Sequence, residues 1–172
     1  LILPMMMPTI VVAIVWKLMY QPQFGVINDI FSDLGLPPLL WAASVNTAML
    51  SIIIVDIWEW TPFIFLMCLA GLSSLPQEPF EAAELDGANL LQRVRHVTVP
   101  QTRFVILMLM LLQIIATMQV FTEPFVITGG GPEDETVTVL YLIYKYAFLY
   151  NDFGGACALS VMLLVLLSAF SA

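Results

Sequence analysis

Apolar residues run in long blocks along this chain, and the polar residues gather in the gaps between them. The first block, Leu1 to Trp16, meets no charge before Lys17, and Trp16 and Tyr20 stand where an interfacial aromatic belt is expected. Residues 21–44, with Pro22, Gly25, Asn28, Asp29, Gly35 and Pro37-Pro38, are turn-rich and read as a segment outside the hydrocarbon. A second block, Val45 to Leu72, is interrupted by Asp56 and Glu59 and is expected to bend near Pro62. A third, Phe104 to Thr122, stays uncharged until Glu123 and leads into TGGGPEDE, expected to be a flexible, wet turn. Around Lys145, Tyr141, Tyr144, Tyr146 and Tyr150 predict a helix at the interface over about 136–150, before a last block from Phe153 to Ala172. A bilayer-crossing helix needs roughly 20 mostly apolar residues. The pattern thus predicts spans at about 1–20, 45–72, 104–122 and 153–172, with no internal repeat.

Composition fixes the solvent. Of 172 residues 60% are hydrophobic and 10% charged, more apolar surface than one water-soluble core of this length hides. The expected class is all-α integral membrane, polytopic, with membrane lipid as its surroundings. The net charge of −8 comes from acids scattered over several loops, forms no acidic face, and speaks against a nucleic-acid partner. Cys68 and Cys157 lie in apolar runs, without metal spacing or a disulfide framework. The chain starts without a charged leader and stops inside an apolar run, so a fragment, incomplete at both ends, is expected. Four spans put both ends and the loop 73–102 on one side. Arg93, Arg95 and Arg103 fall there, against Lys17 and Lys145 opposite, which makes that loop cytoplasmic by the positive-inside rule.

That loop holds EAAELDGANLLQRVRHVTVP, residues 81–100, the most polar stretch of the chain. Pro79 suits the first turn of a short helix, with Glu81 and Glu84 near the positive end of its dipole and Gly87 as its stop. A second short helix from Ala88 would align Leu90, Leu91, Val94 and Val97 on one face until Pro100 breaks it. Ala82 and Ala83 leave a bare surface that another protein can approach closely. A capped connector whose acids serve only the dipole fits these residues as well.

The same residues resemble the cytoplasmic EAA loop of permease subunits in binding-protein-dependent ABC importers. Glu81-Ala82-Ala83 is followed after three residues by Gly87, and after nine more by Val97, Thr98, Val99 and Pro100; the family pattern has Ile and Leu at the two valines. LILPMMMPTIVVAIVWKLMYQPQFGVIN, WTPF, LAGLSSLP, VITGGGPEDET, YKYAF and FGGACALSV extend the likeness along nearly the whole chain, toward the first-type, maltose-type permease of carbohydrate importers. The resemblance implies the type I importer permease fold, in a bacterial cytoplasmic membrane. It also implies that Glu81, Ala82, Ala83, Glu84, Asp86, Gly87 and Pro100 belong to a coupling helix seated in a cytoplasmic ATP-hydrolysing subunit. ATP and Mg²⁺ would then sit on that partner, and this chain would hold no cofactor, metal or catalytic residue. A second permease subunit and an extracytoplasmic solute-binding protein complete the implied assembly.

Within the spans, an acid at mid-bilayer costs about 2.5–3.5 kcal/mol on insertion scales, so Asp56 and Glu59 are expected to face a cavity or a partner. They are three apart on one helical face, beside Trp58 and Trp60, the pairing of carboxylate and aromatic plane that suits a sugar. The resemblance places the solute-facing part of this span around Asp56, Trp58 and Glu59. Gln113 and Thr117, four apart, are further pathway candidates, as is Met5 between Pro4 and Pro8; Glu123 would guard the outer entrance or be solvated. Helix-to-helix hydrogen bonding explains the same polar residues without a solute. Gly129-Gly130-Gly131-Pro132 is followed by acids rather than Lys and Ser/Thr, which excludes a phosphate loop and points to an outer-face contact with the binding protein. His96 stands alone, at a partner interface or in solvent. A permease for a non-sugar solute, and a channel or scaffold without ATP coupling, stay open as alternatives.

Overall fold

The computed structural model describes residues 2–171, and among them every regular element is helical. Two compact units are present, Leu1–Pro62 with Ile115–Ala172, and Phe63–Ile114. Among the described residues, three helices are long and apolar enough to cross a membrane: Val45–Ser73, Leu90–Met118 and Phe153–Phe170. Only 22%, 11% and 6% of their apolar windows are buried, so lipid or partner helices must cover the rest. The expected limits at Leu1 and Ala172 lie outside the described residues.

Within the expected first span over 1–20 lie a single turn, α1 (Leu3–Met6), and a short apolar helix, α2 (Thr9–Met19). The break follows from Pro8, which pushes its predecessor out of the helical region; Met7 sits at φ −85°, ψ 142°. At about 1.5 Å per residue, the 11 residues of α2 reach roughly half of a ~30 Å hydrocarbon layer.

Two prolines lie inside long helices without ending them. Helix α4 (Val45–Ser73) runs unbroken through Pro62. The third long helix begins at Leu90, not Phe104, and ends at Met118, not Thr122. It consists of α6 (Leu90–Arg93), a π-helical turn (Val94–Thr98) and α7 (Val99–Met118), so Pro100 lies inside the helix. A proline at 100 removes the N–H that would bond residue 96 and crowds its carbonyl. The wider turn just before it, closed by Val99 N–H on the Val94 carbonyl, makes that room.

In the first unit, residues 21–44 are built rather than loose. They contain α3 (Val26–Asp33), whose Asn28 is 5% exposed. Its amide donates to the carbonyls of Leu39 (3.0 Å) and Pro22 (3.3 Å) and accepts from Leu39 N–H (3.1 Å) and Trp41 Nε1–H (2.9 Å). Trp41 is thereby set against the Tyr20 ring, stacked at 5.5 Å. Tyr20 donates its hydroxyl to the Ser51 carbonyl on α4, and Ser51 Oγ donates to the Trp41 carbonyl. Val12, Ala13, Val55 and Ile127 close the core around these groups.

The expected flexible turn after the third helix is a tied loop. Thr138 Oγ1 donates to the Val120 carbonyl at 2.6 Å, Thr128 and Thr136 share a 2.6 Å hydroxyl contact, and Tyr141 donates its hydroxyl to the Gly129 carbonyl. Gly130 is at φ +87°, where a Cβ would stand 2.9 Å from the Tyr141 ring. The expected interfacial helix is α8 (Val139–Tyr144) with a π-helical turn over Lys145–Leu149; Lys145 Nζ holds Asp134 Oδ1 at 2.6 Å. The hydrogen bond to Asp134 keeps the Lys145 ammonium above its ordinary pKa. The last long helix is α9 (Phe153–Ser171).

Candidate functional site

On α4, Asp56, Glu59 and Trp60 share a face by their three- and four-residue spacing. Asp56 and Trp60 line a cavity of about 330 Å³ together with Thr9 at the start of α2 and Gln119, Thr122 and Glu123 beyond α7. Glu59, 4% exposed, lies behind this wall: its Oε1 accepts from Thr9 Oγ1 at 2.8 Å, while the buried Oε2 has no hydrogen-bond partner. Glu123 is 3% exposed. Outside the long helices, its carboxyl is pushed above the ordinary range by burial and then by the nearby Glu59 and Asp56, against the pull of a bond to its own backbone. Among the described residues no Lys, Arg or His lines the cavity.

The other pathway candidates go elsewhere. Trp58 lines a separate apolar cavity of about 640 Å³ with Trp16, Ile54 and Thr61, its ring edge-on to Trp16 at 5.6 Å. Gln113 is half-buried and Thr117 exposed, and neither lines the acid-walled cavity; Gln119, two residues beyond Thr117, does. Met5, on α1, is exposed and not part of that wall. Thr9 escaped the sequence reading, although a hydroxyl directly after the Pro8 break is the signal that exposes it. Gln119 carried no such signal, because its place depends on where α7 ends.

In the second unit, α5 (Glu78–Leu85) carries Pro79 in its first turn with Glu78 and Glu81. Glu84 is at the opposite end from the one expected; it lies 3.7 Å from Arg93 rather than at the positive end of the dipole. Gly87 ends the rod at φ +75°. The next helix starts at Leu90, not Ala88, because Asn89 caps it: Asn89 accepts from Gln92 N–H while Gln92 accepts from Asn89 N–H, both at 2.9 Å. Ala82, Glu84 and Asp86 are exposed, and Ala83 is half-buried. Leu85, at the end of the rod, and Leu90 and Leu91, at the start of the next helix, are 89%, 77% and 75% exposed. Among the described residues no group of His, Cys, Asp and Glu has metal-binding geometry.

Residues 1–172 match the family described as binding-protein-dependent transport system inner membrane component. The chain belongs to this family. Among its relatives, the trehalose/maltose transport system permease protein MalF of Thermococcus litoralis is 37% identical over 99% of this chain and 57% of its own length. The sulfoquinovosyl glycerol transport system permease protein SmoG of Agrobacterium fabrum is 31% identical over 96% and 54%. The chain thus spans somewhat more than half the length of these relatives. A chain in the crystal structure of a bacterial alginate ABC transporter, in complex with alginate pentasaccharide-bound periplasmic protein, superposes with a TM-score of 0.88. It covers 98% of this chain and 59% of that one at 21% identity, which establishes the shared fold. Family membership accounts for a membrane component whose long helices are bare and whose most polar segment is a short rod on a loop.

Proposed function

We propose that this chain is part of the permease of an ATP-driven importer that carries a sugar across the cytoplasmic membrane by alternating access. The observation that carries the reading is α5, a rigid exposed rod between two bilayer-length helices, ended by a left-handed glycine and bearing Glu81, Ala82 and Ala83 at the family's spacing. A cleft in a cytoplasmic ATPase would read such a rod through shape and a few charges. Arg93, Arg95 and Arg103 beside it support a cytoplasmic position. ATP and Mg²⁺ belong to that ATPase; a second permease and an external binding protein complete the importer. The acid-walled cavity with its Trp60 plane is the place where a hydroxyl-bearing solute would touch this chain. The sugar assignment also draws on the transport systems named for the relatives.

The test uses the assembled complex in membrane vesicles. Glu81→Lys should leave insertion and abundance intact but abolish solute-stimulated ATP hydrolysis, whereas Lys17→Gln, far from the loop in sequence, should not. Normal stimulation in Glu81→Lys overturns the docking role.

A further inference from the structure

The cavity wall carries an electrostatic signature, and we propose that it selects solute by charge: it admits a neutral hydroxyl-bearing or a cationic solute and rejects a carboxylated one. This rests on the importer reading above and narrows its substrate class. Asp56 and Glu123 line the cavity, and Glu59, bonded to the wall residue Thr9, places a third carboxyl group just behind it. The two lysines of this unit are both engaged: Lys17 Nζ donates to the Val126 carbonyl at 2.7 Å, and Lys145 holds Asp134. An incoming carboxylate would meet the acids of a wall in which no described lining residue is a cation.

The carboxyl group just behind the wall is short of a donor. Glu59 Oε2 is buried without a partner, and Thr9 Oγ1, the one donor on that carboxylate, is spent on Oε1. A buried acceptor left unpaired is costly. Hydroxyl or ammonium protons on a solute would satisfy the carboxyl groups the cavity presents. Trp60 and Phe121 also border the cavity, Phe121 as part of an aromatic cluster with Phe125, Tyr141 and Tyr144, and give its wall an apolar aromatic side. A bare metal ion is a poorer occupant, because these acids do not form a metal-ligand set.

Thr122 lines the cavity, is half-buried, and provides a probe of its field that does not depend on knowing the sugar. In assembled complexes with Cys68→Ala and Cys157→Ala, Thr122→Cys is allowed to react with a cationic and an anionic methanethiosulfonate reagent of similar size. Gln23→Cys, an exposed position, serves as the reference. The cationic reagent should be favoured about tenfold or more over the reference ratio, and Asp56→Asn and Glu123→Gln, singly and together, should reduce that preference severalfold. A ratio equal to the reference, or one unchanged by the substitutions, overturns the proposal. So does failure of both reagents to react in resting and in cycling complexes, since a cavity that no aqueous solute reaches selects nothing. The sugar arm is separate: a neutral disaccharide should protect the introduced thiol, and the same disaccharide oxidised to a carboxylate should not. A cationic preference with protection by neither sugar would keep the charge selection and remove the carbohydrate reading; equal protection by both would overturn the charge selection.

Discussion

Gly87 offers the sharpest perturbation of the loop, because a side chain there has only one way to do harm. A Cβ at this position meets nothing within 4 Å, so no clash accompanies it, yet the backbone stands at φ +75°. Its cost is therefore conformational alone, about 1–2 kcal/mol for an ordinary L residue, smaller for Asn and larger for β-branched Val. The turn is held by Gly87 N–H on the Glu84 carbonyl and Ala88 N–H on the Ala83 carbonyl, both at 3.0 Å. Leaving the left-handed region breaks both and frees the end of α5. One to two kcal/mol corresponds to a roughly 5- to 30-fold loss in the ratio of correctly turned to misturned loops. Solute-stimulated ATP hydrolysis of the assembled complex should therefore fall in the order Gly87→Asn, Gly87→Ala, Gly87→Val, with Asn nearest the parent and the amount of inserted protein unchanged. Equal loss in Asn and Val would show that size rather than backbone conformation matters at 87. Full stimulation in Val would show that the turn is not used for coupling.

Three further outcomes follow from the first unit. Asn28→Ala leaves the buried Leu39 N–H and Trp41 Nε1–H without an acceptor, a loss of about 2 kcal/mol or more; thermal unfolding in detergent within about 0.5 kcal/mol of the parent would refute the assigned role. Glu123 is held above its ordinary 4.5, by burial first, so the folded state binds its proton more tightly than the unfolded chain. Stability from this group is then greatest below its unfolded value and falls as pH rises through the window up to its raised one. Glu123→Gln should show a smaller drop in Tm between pH 4 and pH 7 than the parent, and equal drops would refute the burial argument. Lys145→Met removes a contact to an Asp134 side chain that is 71% exposed, so it should cost no more than about 1 kcal/mol; a larger fall in Tm would mean that the ion pair, rather than the threonine and tyrosine bonds, holds the loop.

The long apolar blocks and the short rod with its stop at Gly87 were legible, since hydropathy and a left-handed glycine act locally. The prolines were misjudged in both directions. Pro8 interrupts a block that looks continuous by hydropathy, because its effect falls on Met7 rather than on any polar residue. Pro100 looks like a terminator, yet a π-helical turn absorbs it, and nothing in VRHVT marks a wider turn. Asp56 and Glu59 stood out because charge in an apolar run is rare. Their neighbours in the cavity, Thr9, Gln119 and Glu123, come from distant parts of the chain and are joined to them only by packing.

The polar groups of the first unit divide by whether their hydrogen bonds close. Asn28 uses donors and acceptor alike within its own segment, Ser51 and Tyr20 bond backbone carbonyls, and Thr136 donates to the Gly131 carbonyl while meeting Thr128. Such closed sets fix a fold and have nothing left for a solute. The group around Asp56 is built differently: behind the wall Glu59 keeps one buried oxygen without a partner, and Asp56, Gln119, Thr122 and Glu123 border open volume. Helix-to-helix bonding, the competing account of polar residues in a membrane, predicts closed sets everywhere, because an unpaired group in hydrocarbon costs several kcal/mol. The proposed solute contact rests on that difference: Asp56 and Glu123 border open volume beside a helix that starts after Pro8, where a solute hydroxyl has room to donate to them.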